Sequence, residues 1–310
     1  MGTPEFAVKP LVALIEHNVS VIGVVTAPDK PAGRGKKIQK SAVKICAEQY
    51  NIPILQPEYL KSEHFVEAVR ELNPDLILVV AFRMLPKVIW SIPPMGTCNL
   101  HASLLPHYRG AAPINWAIVH GETQTGVTTF FINEQIDTGH IIAQKKVPIS
   151  YTQTAGELYE ELMSVGAELL VETVTMIEQN TVKAIPQSSV VLDESLKTAP
   201  KISKETCKIQ FMQNAVQIYN HIRGFSPYPA AWFLLSNNKE SYICKVFFAE
   251  YKEEQHKYNP GTIIQEKDSL CIACADGFIF PTQVQLQGKK RMSIEECLRG
   301  FLFSNFVISM

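Results

Sequence analysis

Hydrophobic and polar positions along the chain fall into two regimes. In the first, near-continuous β-branched runs alternate with segments of helical period. Val19 to Thr26 and Asp75 to Ala81 read as strands buried on both faces, as a parallel sheet requires. Pro53 to Leu55 and Thr97 to His101 are further short strands. Between them the pattern predicts helices. One starts at Thr3 and Pro4 and runs to Ile15, with Pro10 expected to break it. Ser41 caps a second helix reaching Tyr50, and two more cover Ser62 to Leu72 and Pro86 to Ile92. Ala27 to Lys40 is a loop. Pro113 to His120 is a helix, and Gly126 to Ile132 and Ile141 to Val147 are strands. Thr154 to Gln179 is a long amphipathic helix with Thr154 near its cap. Strands alternating with helices imply a doubly wound, mainly parallel α/β sheet.

In the second regime the period changes. Val190 to Lys208 is polar, contains Pro200, and reads as a linker. Gln210 to Arg223 is helical. Short strand-like runs follow at Ala231 to Leu235, Tyr242 to Ala249, Gly261 to Ile264, Leu270 to Ala273 and Gly277 to Gln285. Short strands with polar turns predict a small antiparallel, OB-like barrel. The expected organisation is an α/β domain over 1–189, a linker over 190–208 and a barrel domain over 209–310.

Composition alters this picture little. The formal net charge is −1, so a polyanionic partner must be met by a local basic patch. The seven cysteines are scattered and odd in number, which argues for a reducing, cytoplasmic setting rather than a disulfide framework. Cys271 and Cys274 form a lone C-x-x-C on an apolar run, better read as buried thiols than as zinc ligands. No membrane span or signal peptide is visible. One loop is conspicuously basic: Lys30, Arg34, Lys36, Lys37 and Lys40 surround Gly33 and Gly35. A basic loop is ordinarily a solvated surface. Here the glycines permit close backbone approach and Arg34 offers a planar fork, both suited to phosphate.

Candidate chemistry gathers at Cys98 to Pro113. Asn99 and His101 are two apart on a strand end, so both side chains leave the same face. Open α/β sheets place ligands at such ends. Alone, His101 would read as a core histidine, and Asp137-Thr138-Gly139 as a turn. Brought together, an amide, an imidazole and a carboxylate could steady an oxyanion and handle a proton. No serine or cysteine in the motif stands as a nucleophile, which favours direct transfer to an external nucleophile.

The run N-x-H-x-S-L-L-P-x-x-R-G, followed downstream by D-T-G, resembles the signature of formyltransferases that use 10-formyltetrahydrofolate. The resemblance runs nearly end to end with the methionyl-tRNA branch of that family: G-T-P-E-F-A, P-A-G-R-G-K-K, H-A-S-L-L-P-H-Y-R-G-A-A-P-I, I-D-T-G and R-G-F-S-P-Y-P-A-A-W. It implies a Rossmann-like formyltransferase domain and formyl transfer to initiator methionyl-tRNA, with 10-formyltetrahydrofolate as cosubstrate and no metal. The resemblance maps the catalytic triad onto Asn99, His101 and Asp137. The folate-contacting segment falls on Ser103, Leu104, Leu105 and Pro106. The basic loop (Lys30, Arg34, Lys36, Lys37, Lys40) and the barrel fall where the family meets tRNA. The barrel and linker contribute Lys289, Lys290, Arg291, Lys201, Lys204 and Lys208. Ala102 stands where glycine is common and His140 where a second acid is common. The expected protein is a cytoplasmic monomer without membrane contact. The rivals are formyl transfer to a sugar nucleotide such as UDP-aminoarabinose, and a retired tRNA- or folate-binding relative.

The resemblance carries one further expectation. Met1 is followed directly by a turn and helix start, whereas the first strand of a doubly wound sheet is central. A strand is therefore expected immediately upstream of Met1, with Val19–Thr26 and Leu76–Ala81 flanking its position.

Overall fold

A computed structural model describes residues 1–32, 37–190 and 195–309. The chain forms two compact units. One comprises Met1–Gly110, Gln124–Pro148 and Tyr159–Thr198, and the other Ala111–Thr123, Ile149–Leu158 and Ala199–Met310.

The first unit is built on a mixed sheet. Ile77–Val80 pairs in parallel with Thr97–His101. Gln124–Phe131 pairs antiparallel with Thr97–His101, and Ile141–Pro148 antiparallel with Gln124–Phe131. On the other side, Val24–Val25 pairs in parallel with Ile54–Leu55. The expected strand over Val19 to Thr26 is thus confined to two residues of ladder, because its partner is equally short. The helices Val8–Glu16, Ala42–Gln49, Glu63–Leu72 and Lys87–Trp90 alternate with these strands. Ser41 caps the second, accepting from the Lys44 N–H at 3.0 Å. Pro10 does not break the first helix. It sits in the first turn of Val8–Glu16, where its missing N–H is one that no helix could satisfy. Instead of Thr3 capping a helix, a 3-10 turn Glu5–Ala7 precedes it. The long helix Ala155–Glu178 lays Leu162, Leu169, Leu170 and Val174 into the core, and its buried Thr173 hydroxyl meets that of Thr129 at 2.8 Å. Within the expected loop Ala27 to Lys40, Lys30–Ala32 and Lys37–Gln39 pair antiparallel.

Val24–Val25 and Ile77–Val80 do not pair with each other. Between them lies one rung supplied by Met1–Gly2. The Gly2 N–H donates to Val25 O at 3.0 Å, and Met1 O accepts from the Val80 N–H at 2.9 Å. Gly2 has to be glycine, since a Cβ there would lie 2.6 Å from Ala7 Cβ and 2.8 Å from Val80 O. Beside this rung is an open apolar cleft lined by Leu11, Leu14, Val24, Leu78 and Leu170 among others.

The second unit is a nearly closed antiparallel barrel. Its strand order is Ile263–Gln265, Leu270–Ala273, Gly277–Leu286, Ser241–Glu253, Ala231–Ser236, Val307–Ser309, with Met292–Ser293 paired to Gly277–Leu286. The helix Ala215–Gly224 packs against it, starting later than the period suggested because Asn214 and Gln217 form a capping box. Phe225, Phe233, Phe303, Ile218 and Ile222 are fully buried in its core. Two segments from earlier in the chain belong here. Asn115 Nδ2 donates to Gly224 O at 2.7 Å, Trp116 Nε1 to Pro200 O at 2.8 Å, and buried Arg223 to Gln153 O at 2.9 Å. The linker region is not featureless either: Ala199 and Cys207 are buried, and Glu205–Cys207 is a 3-10 turn.

Candidate active site

The central strand Thr97–His101 carries the first two candidates. Asn99 stands opposite Val79 on one neighbour and Phe130 on the other, and His101 opposite Thr128. The two-residue period puts both side chains on one face. Cys98 points to the opposite face. Its thiol is fully buried and pushed up to about 12 by desolvation, so it stays protonated and is no nucleophile.

His101 is 7% exposed. Its Nε2 lies 2.8 Å from the carbonyl oxygen of Tyr108. A carbonyl can only accept, so Nε2 carries a proton. Nδ1 is then the nitrogen that faces Asp137, 3.8 Å from Oδ2. That separation is an ion-pair distance, longer than a direct hydrogen bond. The same Oδ2 accepts the N–H of Gly110 at 2.9 Å. A second proton on the imidazole would thus sit beside a carboxylate already oriented by a backbone donor.

Asp137 reaches His101 from a turn in the left-handed region, with φ +53°. Three features hold that conformation. Asn133 Oδ1 accepts from the Gln135 N–H and the Thr138 hydroxyl, each at 3.0 Å. Gly139 allows an approach that any Cβ would prevent, because a Cβ there would lie 1.6 Å from Phe131 O. Gln187 donates to the carbonyls of Asp137 and Gly139, both at 2.9 Å.

The segment Ser103 to Pro106 is locked to the sheet. The Ser103 hydroxyl is buried and donates to His107 O at 2.8 Å, and Leu105 packs against Phe130 and Ile141. Buried Thr128 donates to Ser103 O at 2.6 Å and accepts from the Leu105 N–H at 3.2 Å and from Gln144 Nε2 at 2.8 Å. Gln144 also donates to Leu105 O at 2.9 Å. Ser103, Leu105 and Pro106 therefore shape the wall from within, and half-buried Leu104 is the member with side-chain surface to offer a ligand.

Among the basic residues of the loop, Arg34 and Lys36 lie outside the described residues. Lys37 belongs to the short hairpin, and Lys30 is exposed on its other strand. Lys40 is exposed but paired with Glu48 at 2.8 Å, and that hydrogen bond raises its pKa. His140 is exposed, and its backbone carbonyl accepts the Phe131 N–H at 3.0 Å. Among the described residues no group of three side chains is arranged to hold a metal ion, and no helix is long and apolar enough to cross a membrane.

Sequence reasoning missed Tyr108, Gly110, Thr128, Gln144 and Gln187. Tyr108 and Gly110 lay inside the quoted motif but act through a backbone carbonyl and a backbone N–H. The others carried no local signal.

The chain matches two family models: "Formyl transferase" over residues 1–174 and "Formyl transferase, C-terminal domain" over 201–302. It is 50% identical over 303 residues to the methionyl-tRNA formyltransferase of Bacteroides fragilis, covering 97% of this chain and 94% of the relative. It is 50% identical over 305 residues to that of Flavobacterium johnsoniae, covering 98% and 96%. Among solved structures, a sugar 3N-formyl transferase in the presence of dTDP and 5-N-formyl-THF shares the fold at TM-score 0.65 and 24% identity, covering 93% of this chain and 97% of that one. The N-formyltransferase of Helicobacter canadensis in complex with folinic acid and dTDP-3-aminofucose aligns at TM-score 0.62 and 25% identity, covering 90% and 96%.

The buried network under the Ser103–Pro106 segment can be tested directly. Thr128→Val removes one donor and one acceptor and leaves the Leu105 N–H and the Gln144 amide short of a partner. It should cost about 1–3 kcal/mol in urea unfolding, whereas Thr128→Ser should cost less. Equal stability of Thr128→Val and the parent would show that the network contributes nothing.

Proposed function

The chain belongs to the formyl transferase family, and from that premise we propose that it transfers the formyl group of 10-formyltetrahydrofolate to the α-amine of initiator methionyl-tRNA. One observation carries the reading: half of all positions match methionyl-tRNA formyltransferases over nearly the whole chain. The facing His101 and Asp137, with Asn99 in step, supply groups suited to the chemistry. The protein works as a cytoplasmic monomer in this reading. The similarity to sugar formyltransferases is more distant and supports the fold.

The folate supplies the formyl carbon that the amine attacks. As the carbonyl becomes tetrahedral, negative charge develops on its oxygen. The Asn99 amide and a protonated Nδ1 of His101 are the donors proposed to stabilise it. Nε2 cannot serve while it is bound to Tyr108 O, so the imidazole acts through the nitrogen next to Asp137. Asp137 holds the imidazolium and accepts the proton released by the amine, directly or through water; that proton passes to N10 of the folate as the tetrahedral adduct collapses, the C–N10 bond breaks and tetrahydrofolate leaves. The locked Ser103–Pro106 segment presents Leu104 as an apolar wall for the folate, while Lys30, Arg34, Lys36, Lys37 and Lys40 form the tRNA-facing loop. With Lys40 paired to Glu48, the other four are the ones this reading assigns to phosphate.

Purified protein with 10-formyltetrahydrofolate and Met-tRNA should yield formylmethionyl-tRNA, with no comparable transfer to UDP-aminoarabinose. The reverse preference would overturn the reading. His101→Ala should lower kcat by roughly 10²–10³ with Met-tRNA binding retained. Near-normal turnover would remove His101 from its role. Arg34→Ala should weaken Met-tRNA binding and flatten its dependence on log salt by about one unit of slope, with folate affinity unchanged. Loss of folate affinity instead would assign the loop to the folate pocket.

A further inference from the structure

We propose that Gln187 is a positioning residue for this reaction: it locks Asp137 beside His101 by closing a ring of hydrogen bonds. The inference rests on the functional reading above and adds a residue to it.

Gln187 is 5% exposed, and its amide uses all four of its hydrogen-bonding positions. Nε2 donates to the carbonyls of Asp137 and Gly139, each at 2.9 Å. Oε1 accepts from Arg109 Nε at 3.0 Å and from a terminal guanidinium nitrogen at 2.5 Å. Arg109 is followed by Gly110, whose N–H donates to Asp137 Oδ2 at 2.9 Å. The ring therefore runs from the Asp137 carbonyl through Gln187 and Arg109 to Gly110, and back to the Asp137 carboxylate. Asp137 is gripped at both its backbone and its side chain.

The base of the brace is fixed as well. Ile185, two residues earlier, exchanges backbone hydrogen bonds with Ile141 at 2.8 and 2.9 Å, so Gln187 rises from the edge of the sheet. A non-glycine residue at positive φ persists when its surroundings over-determine it, and this ring does so for Asp137. No other side chain reproduces the pattern. Glutamate keeps the acceptors for Arg109 but turns two donors against two carbonyls. Methionine keeps the length and loses every bond. Asparagine is a methylene short.

Misplacing a reacting group by about 1 Å can cost on the order of 10²-fold in rate. The test compares formylation of Met-tRNA by the full chain, Gln187→Met and Gln187→Glu. In both variants kcat should fall ten- to hundredfold, while KM for each substrate stays within about twofold. In an Asp137→Asn background, Gln187→Met should lower the residual rate by less than about twofold, because the residue it positions is already gone. Unchanged kcat in Gln187→Glu, the variant that retains shape and the Arg109 pairing, would overturn the proposal. An equal loss from Gln187→Met in both backgrounds would also overturn it, since Gln187 would then act as general support. Failure of the parent chain to formylate Met-tRNA would instead overturn the functional reading, and is seen before any variant is made.

Discussion

Because His101 is nearly buried and donates its Nε2 proton to the Tyr108 carbonyl, any chemistry of this imidazole has to pass through Nδ1. The remaining architecture of the site follows from that commitment. Nδ1 looks toward Asp137, so the carboxylate has to be brought within ion-pair range and kept there. A turn in the left-handed region achieves this, and such a turn does not hold itself. It is held by the Asn133 side chain, by the missing side chain at Gly139, and by the Gln187 amide. Tyr108 is itself at positive φ, +59°, so the acceptor that fixes the imidazole is also presented by unusual backbone. Strain of this kind collects where geometry has to be exact, on both sides of one histidine.

The buried polar groups around the site are arranged with little left unpaired. Thr128 alone serves Ser103, Leu105 and Gln144, and Gln187 fills all four of its positions. An orphaned donor or acceptor at such a depth costs more than a typical hydrogen bond contributes, so these networks resist piecemeal change. They leave Leu104 as the half-buried member of the Ser103–Pro106 segment. Rigidity in the supporting residues and surface in one of them suit a site that must hold a small cosubstrate while a bulky RNA end approaches.

Charge is arranged on a different principle. The chain is close to neutral overall, so attraction for a polyanion has to be local. Where a plain loop was expected, the antiparallel pairing of Lys30–Ala32 with Lys37–Gln39 gives Lys30 and Lys37 a defined backbone. Pairing of Lys40 with Glu48 matches one positive charge in this stretch.

Local pattern determined a good deal. The strand Thr97–His101 has the limits its sequence suggests, and the alternation of a strand places Asn99 and His101 in step. Ser41 caps its helix as its chemistry predicts, and Leu270–Ala273 is a strand as read. These features depend on neighbours one to four residues away, where backbone geometry links sequence to structure directly. Other features required the folded chain. The breadth of Val24–Val25 depends on a short partner, and the survival of the helix at Pro10 on how the turn before it folds. Ala111–Thr123 and Ile149–Leu158 lie within the first part of the sequence but pack with the barrel unit, through Asn115, Trp116 and Arg223. The approach of Asp137 to His101 is expected both from strands extending one sheet and from the family resemblance, but the imidazole nitrogen involved is not. Gln187 lies 78 residues from Arg109 and 50 from Asp137, between the long helix and the stretch read as a linker. A hydrogen bond over such separations leaves no trace in the local order of polar and apolar residues, because tertiary packing alone brings its two ends together.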